Sequence, residues 1–158
     1  MPDTKEAFIW ITSILRNKNI PFQVTGGLAA RIYGSPRELA DIDFEIPNDR
    51  FPEILPEIKD YLVFGPTQYK DESFDIFLAT LRYKEQEIDL TGSNGEKSFN
   101  QEKREWKEEN IDLSKAVSKE VFGISVPVVP AKDLLDYKKW ISRDVDRVDV
   151  EALSKLGY

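Results

Sequence analysis

Three aspartates carry the chemistry that this chain could perform. Asp41 and Asp43 stand two residues apart in Asp41-Ile42-Asp43-Phe44-Glu45-Ile46, where acidic and apolar residues alternate without error. On a β-strand, side chains at i and i+2 share a face, about 6–7 Å apart at the backbone. The two carboxylates can therefore converge on one cation, while Ile42, Phe44 and Ile46 turn to a core. The pattern returns in Glu87-Ile88-Asp89-Leu90-Thr91, with Ile88 and Leu90 on the core face and Asp89 on the other, Glu87 beside it. If the two strands lie near one another, three carboxylates meet. Such a cluster is costly without a cation, because like charges repel in a partly dry site. One or two Mg²⁺ ions would remove the cost, clamp a triphosphate and lower the barrier to phosphoryl or nucleotidyl transfer. Glu45 and Glu87 share these faces and are expected beside the cluster or at the surface.

Upstream, Gly26-Gly27 follows the short strand Phe22 to Thr25 and opens a short helix from Leu28 to Tyr33. Glycines there let another group approach the backbone closely, and exposed N–H groups at a helix start suit phosphate. A Gly-Gly pair alone is a weak signal; placed ahead of Asp-x-Asp it gains weight.

The rest of the composition narrows the chemistry. The chain has 158 residues, with no cysteine and no histidine. Disulfides, thiolate chemistry, zinc-cysteine sites and Ser-His or Cys-His triads are excluded. Carboxylates favour hard, oxygen-seeking ions such as Mg²⁺. The net charge of −7 disfavours long nucleic acid held by its backbone, and would suit a cationic acceptor or a basic partner protein. A small anionic ligand stays compatible, since a bound metal reverses the local potential. No apolar run approaches the roughly 18 residues of a membrane span. The start, Met1 to Glu6, lacks the basic-then-apolar order of a secretory signal, so cytoplasmic residence is expected.

The spacing predicts a helix over Glu6 to Asn19, a polar loop over Ser35 to Ala40, and the strand Asp41 to Ile46. Asn48 or Asp49 is expected to cap a helix over Arg50 to Lys59, which Pro56 would split or kink. A short strand over Tyr61 to Phe64 should end in a Gly-Pro turn, and a hairpin should join Phe74–Tyr83 to Gln86–Leu90 through Lys84-Glu85. Gly92 to Asn110, charge-dense and broken only by Phe99 and Trp106, reads as a surface excursion with some helix. One extended piece follows over Val121 to Val129, then a helix over Ala131 to Ile141 and a last helix from Asp144 ending at Leu156-Gly157. The expected organisation is one domain over 1–158: a core over about 6–91, a polar excursion over 92–120 and a helical segment over 130–156.

The stretch Gly26-Gly27-Leu28-Ala29-Ala30-Arg31-Ile32-Tyr33-Gly34, then Arg37, then Asp41-Ile42-Asp43-Phe44, resembles the nucleotidyltransferase superfamily, and within it the small antibiotic-type and minimal-type enzymes. Asp89 matches the family's third acid. Asp133-Leu134-Leu135-Asp136-Tyr137-Lys138, with Arg143, Asp146 and Asp149, is similar to its two-helix ending. The match spans roughly Phe22 to Leu90 and Pro130 to Leu156. Gly27 stands where many members carry serine, so backbone N–H groups would have to hold the terminal phosphates.

The resemblance implies an α+β fold, a mixed β-sheet flanked by helices with a short helical C-terminal segment. It implies that Asp41, Asp43 and Asp89 bind two Mg²⁺ ions, that Asp89 helps deprotonate an attacking hydroxyl, and that Gly26 and Gly27 cradle the phosphates of ATP or another nucleoside triphosphate. AMP would pass to a hydroxyl of a small molecule or protein, with release of pyrophosphate. Arg37 and Lys138 become candidates for charge neutralisation. For Lys138 the competing expectation is a solvated pair with Lys139; Asp146 and Asp149 are expected as capping and helix-surface acids. The short chain leaves little substrate-binding wall, which a protein partner or a second copy could supply. The rival readings are a non-catalytic or regulatory, antitoxin-like module of the same fold, and a polymerase-like enzyme, which would need a basic track that the sequence does not display.

Overall fold

The computed structural model describes residues 1–158. Five α-helices and nine β-strands follow in the order α1 (Thr4–Asn17), β1 (Gln23–Thr25), α2 (Gly26–Ile32), β2 (Asp41–Ile46), α3 (Phe51–Ile58), β3 (Leu62–Lys70), β4 (Phe74–Tyr83), β5 (Gln86–Gly92), β6 (Glu96–Asn100), β7 (Glu105–Glu109), β8 (Val117–Val121), β9 (Ile124–Val128), α4 (Ala131–Ile141) and α5 (Arg147–Ser154). All nine strands join one mixed sheet in the order β7-β6-β4-β5-β2-β1-β9-β8, with β3 paired to β4. The expected α+β architecture, a mixed sheet flanked by helices with a short helical C-terminus, is the one the molecule has.

The alternation in β2 and β5 does what its period requires. Ile42, Phe44, Ile46, Ile88 and Leu90 are buried in one core cluster with Phe8, Ile11 and Leu15 of α1 and Phe51, Ile54 and Ile58 of α3. Asp3 caps α1, accepting from the Glu6 N–H. The Lys84-Glu85 turn has positive φ at both residues, the backbone of a tight hairpin turn.

Four local expectations are corrected. No side chain caps α3: Asn48 turns instead to Asn94, donating its amide to that residue's carbonyl, and Pro56 is carried inside an unbroken helix. The strand expected to stop at Phe64 runs on to Lys70, because a register shift absorbs Gly65 and Pro66, which cannot join a regular ladder. The excursion over 92–110 holds no helix. It forms the β6–β7 hairpin, with Phe99 set opposite Trp106 and their rings 5.2 Å apart. The single extended piece near Val121 is a second hairpin, β8–β9.

Helices α2, α4 and α5 pack together, with α2 against β1 and β2 and α4 against β6. Trp140 on α4 fastens that layer to the hairpin: its Nε1 donates to the Ser98 carbonyl at 3.2 Å, and Asn100 Nδ2 donates to the Trp140 carbonyl at 2.8 Å. Lys103 and Lys107 of the hairpin lie over its indole ring. None of the helices is long and apolar enough to cross a membrane.

Candidate active site

Strands β2 and β5 run parallel, with Asp41 opposite Glu87 and Asp43 opposite Asp89. Neighbouring strands are about 4.8 Å apart, so facing side chains on one side of the sheet are in reach of each other. Carboxylate oxygens of Asp41, Glu87 and Asp89 lie within 4.8 Å of one another, a spacing one cation can bridge. Glu87, expected beside the cluster or at the surface, belongs to it. Thr80, facing Asp89 from β4, donates its hydroxyl to Asp89 Oδ1 at 2.7 Å.

The acids feel their enclosure and each other. Burial, then the neighbouring charges of Asp41 and Asp89, push Asp43 well above the usual carboxylate range, against the pull of Lys138. Burial also raises Asp89, to about 6, with Asp41 and Glu87 adding to the rise and the Thr80 bond opposing it. A divalent cation is the natural partner of such a set, whose donors are all hard carboxylate oxygens.

Gly26 completes this wall. It opens α2 directly after β1, two residues ahead of the predicted helix start at Leu28, with φ of +63°. A Cβ there would lie 2.1 Å from Asp43 Oδ2, so only glycine lets the turn and the aspartate share that space. Gly26→Ala should therefore cost about 2 kcal/mol or more in urea denaturation. A change under about 0.5 kcal/mol would show that the close approach is not required.

A Cβ at Gly27 would meet the Arg37 guanidinium at 2.8 Å, so this glycine gives Arg37 its place over the turn. Arg37 is fixed from behind by Asp149: its Nε and Nη2 reach Asp149 Oδ2 at 2.9 and 2.7 Å. Lys138 is no solvated partner of Lys139. It is 2% exposed and bridges Asp146 and Asp149 at 3.0 and 3.1 Å. Asp146 and Asp149, expected as capping and helix-surface acids, are both fully buried, and Asp146, though at the N-cap position of α5, makes no capping bond with its side chain. Arg143 joins them with two bonds to Asp146, and Ser35 donates to Asp149. For both acids burial acts to raise the pKa, but it is outweighed by these bonds, which hold them below the ordinary range. Three cations thus balance two anions behind the glycine turn. Arg31 and Tyr33 serve the framework, donating to the carbonyls of Arg37 and Val129.

Asp41, Asp43, Asp89, Gly26, Gly27, Arg37 and Lys138 all line one cavity of about 730 Å³. Its far wall comes from α4, where the sequence predicts a helix, and from the β6–β7 hairpin, which sequence reasoning missed. Glu45, on the β2 face beyond Asp43, is raised by burial and hydrogen-bonds Glu96 of that hairpin. Glu96 is raised further, by burial and then by the charge of Glu45. The partly exposed Tyr137 lies near them, its hydroxyl raised by desolvation and then by Glu96.

No protein-family model matches the chain, and no curated protein matches it in sequence. Its likeness is to solved structures. A Thermotoga maritima protein assigned as a nucleotidyltransferase is 20% identical, with a TM-score of 0.66 over 99% of this chain and 94% of that one. The lincosamide antibiotic adenylyltransferase LnuA, solved with lincomycin, is 12% identical, with a TM-score of 0.65 over 99% of both chains. ANT(2")-Ia, solved with adenylyl-2"-tobramycin, is 16% identical, with a TM-score of 0.59 over 97% of this chain and 89% of its own.

Proposed function

We propose that this chain, which has the nucleotidyltransferase fold, moves a nucleoside monophosphate from a nucleoside triphosphate to a hydroxyl acceptor, with AMP from ATP as the transferred group. The observation that carries the reading is the parallel register that sets Asp41 and Asp43 against Glu87 and Asp89 beside a turn where only glycine fits. Mg²⁺ would be held by Asp41, Asp43 and Asp89; when bound it supplies charge neutralisation to the triphosphate and the departing pyrophosphate. The remaining chemistry belongs to the chain's own residues. Asp89 Oδ1 accepts from Thr80, which fixes the carboxylate and leaves Oδ2 to take the proton of the acceptor hydroxyl. The acceptor oxygen then bonds to the α-phosphorus, the bond from that phosphorus to the bridging oxygen breaks, and pyrophosphate carries the electron pair away. Gly26 and Gly27 leave backbone uncovered for the phosphates. Arg37 is placed to neutralise them directly, while Lys138 acts through its field, since both its close partners are protein carboxylates.

The solved structures of similar fold include two adenylyltransferases that hold lincomycin or an adenylylated tobramycin. They favour a small-molecule acceptor over a protein for this chain. Calorimetric titration with ATP should show binding with Mg²⁺ that weakens at least about tenfold without it. Absence of Mg²⁺-dependent binding at millimolar ATP would overturn the reading. Transfer itself is tested with α-labelled ATP and a small-molecule extract. A labelled product that disappears in Asp41→Asn separates catalysis from nucleotide binding alone, as a regulatory module would show.

A further inference from the structure

The last helix carries an apolar row that the fold leaves uncovered. Asp146, Asp149 and Leu153 turn inward and are fully buried. Val145, in the single helical turn Asp144–Asp146 that leads into α5, is followed by Val148, Ala152 and Leu156 at spacings of three, four and four residues. At about 100° per residue these four positions fall within roughly 80° of the helix circumference, so they form one stripe beside the inward face. Val145, Val148 and Leu156 are 51%, 42% and 46% exposed, and Ala152 is half-buried. Single exposed apolar residues need no explanation, but a contiguous row marks a contact surface.

The other flank of the stripe identifies what covers it. Asp144, Arg147, Glu151 and Lys155 follow one another there, alternating in sign. Arg147 meets Asp144 at 3.3 Å and Lys155 meets Glu151 at 3.6 Å, all four side chains being exposed. Read backwards, the order acid, base, acid, base becomes base, acid, base, acid. In an antiparallel helix pair about a two-fold axis, each flank meets the same flank of the other copy, so every charge here meets its opposite. Asp144 comes against Lys155 of the second copy, and Arg147 against its Glu151. The apolar row reverses in the same register, with Val145 against Leu156 and Val148 against Ala152. One axis, at the level of Val150, serves all four pairings. A partner of different sequence would have to match both rows separately, whereas a second copy matches them by symmetry.

We infer that two copies of this chain pair through the α5 stripe, antiparallel and about a two-fold axis. Roughly three turns of helix meet three turns, which puts the contact at the small end of specific interfaces and makes the dimer reversible. Val145 also lines the cavity, so the seam starts at the cavity's rim and Leu156 of the second copy extends the wall there. The inference stands on the helix alone and does not need the nucleotidyl-transfer reading.

The test is sedimentation equilibrium of the whole chain from about 10 μM to about 1 mM, where a monomer–dimer equilibrium should appear. Val148→Lys should weaken dimerisation at least about tenfold, by placing a charge in the apolar row. Arg147→Glu should weaken it at least about tenfold, because two acids then face each other on both sides of the axis. Arg147→Glu combined with Glu151→Arg should return the dimer to within about threefold of the parent, since each pair is restored in reverse. That rescue separates a helix pair in this register from an unspecific apolar contact. Both charged positions are exposed, so circular dichroism of these variants should match the parent's and verify that they are folded. A chain that stays monomeric across the range, a dimer indifferent to Val148→Lys, or Arg147→Glu without rescue by the second change would each overturn the inference. Mg²⁺–ATP binding is read separately, and its failure would count against nucleotidyl transfer without touching the dimer.

Discussion

Asp43→Asn should lower product formation by about 10²–10³-fold while making the metal-free protein more stable, by about 1 kcal/mol or more. The two effects have one cause. Asp43 is pushed well above the ordinary carboxylate range by burial and by the charges of Asp41 and Asp89, so its ionised form works against the empty fold. Asparagine keeps the shape and removes the charge. The same physics sets a pH dependence through Asp89, whose pKa is about 6 in the fold against 3.8 ordinarily. Between those values the native state holds more protons than the unfolded chain, so stability falls as pH rises from about 4 through about 6. Mg²⁺ added above that window should restore what was lost. Melting temperatures across this range, with Mg²⁺ or with a chelator, provide the measurement. An unchanged or lower melting temperature for metal-free Asp43→Asn, or undiminished product, would refute the account.

Lys138→Met should have the largest effect on stability, a loss of about 3–5 kcal/mol. The ammonium is buried between Asp146 and Asp149, and its removal leaves two enclosed carboxylates to Arg37 and Arg143. For a domain of this size the melting temperature should drop by about 10 °C or more. Adding Asp149→Asn to the same chain should recover part of the loss, since it removes one stranded charge, and the double-mutant cycle measures the coupling. A loss under about 1 kcal/mol would mean that the arginines alone balance the acids. Because Asp146 and Asp149 titrate below their ordinary range, their contribution is present at neutral pH and is lost as pH falls below about 4, opposite in sign to that of Asp89.

What was legible in the sequence, and what was not, follows from where apolar residues carry the pattern. Asp41 to Ile46 and Gln86 to Leu90 could be read because their buried positions are aliphatic or aromatic. Strand β6 could not, because its buried positions are Ser98 and Asn100, which hydropathy scores as surface. The hairpin side of the cavity's far wall was lost with it. Asp146 and Asp149 looked like surface acids for the same reason: their burial depends on Lys138, Arg37 and Arg143, and Arg37 lies more than a hundred residues from Asp149 in the chain. Nor could a single strand's alternation show that Glu87 comes within cation reach of Asp41. That follows from register between strands, which only the fold defines.

Trp140 joins the hairpin to the helix layer through both its backbone and its ring. The two banks of the cleft are thereby one piece, so the hairpin cannot swing out as a gate without breaking that joint. Discrimination among reactants then falls to a preset mould, and what will not fit at rest gains no entry by prying. Such a vessel trades breadth of diet for constancy of shape, and a stiff mimic of its guest should fill it better than a supple one.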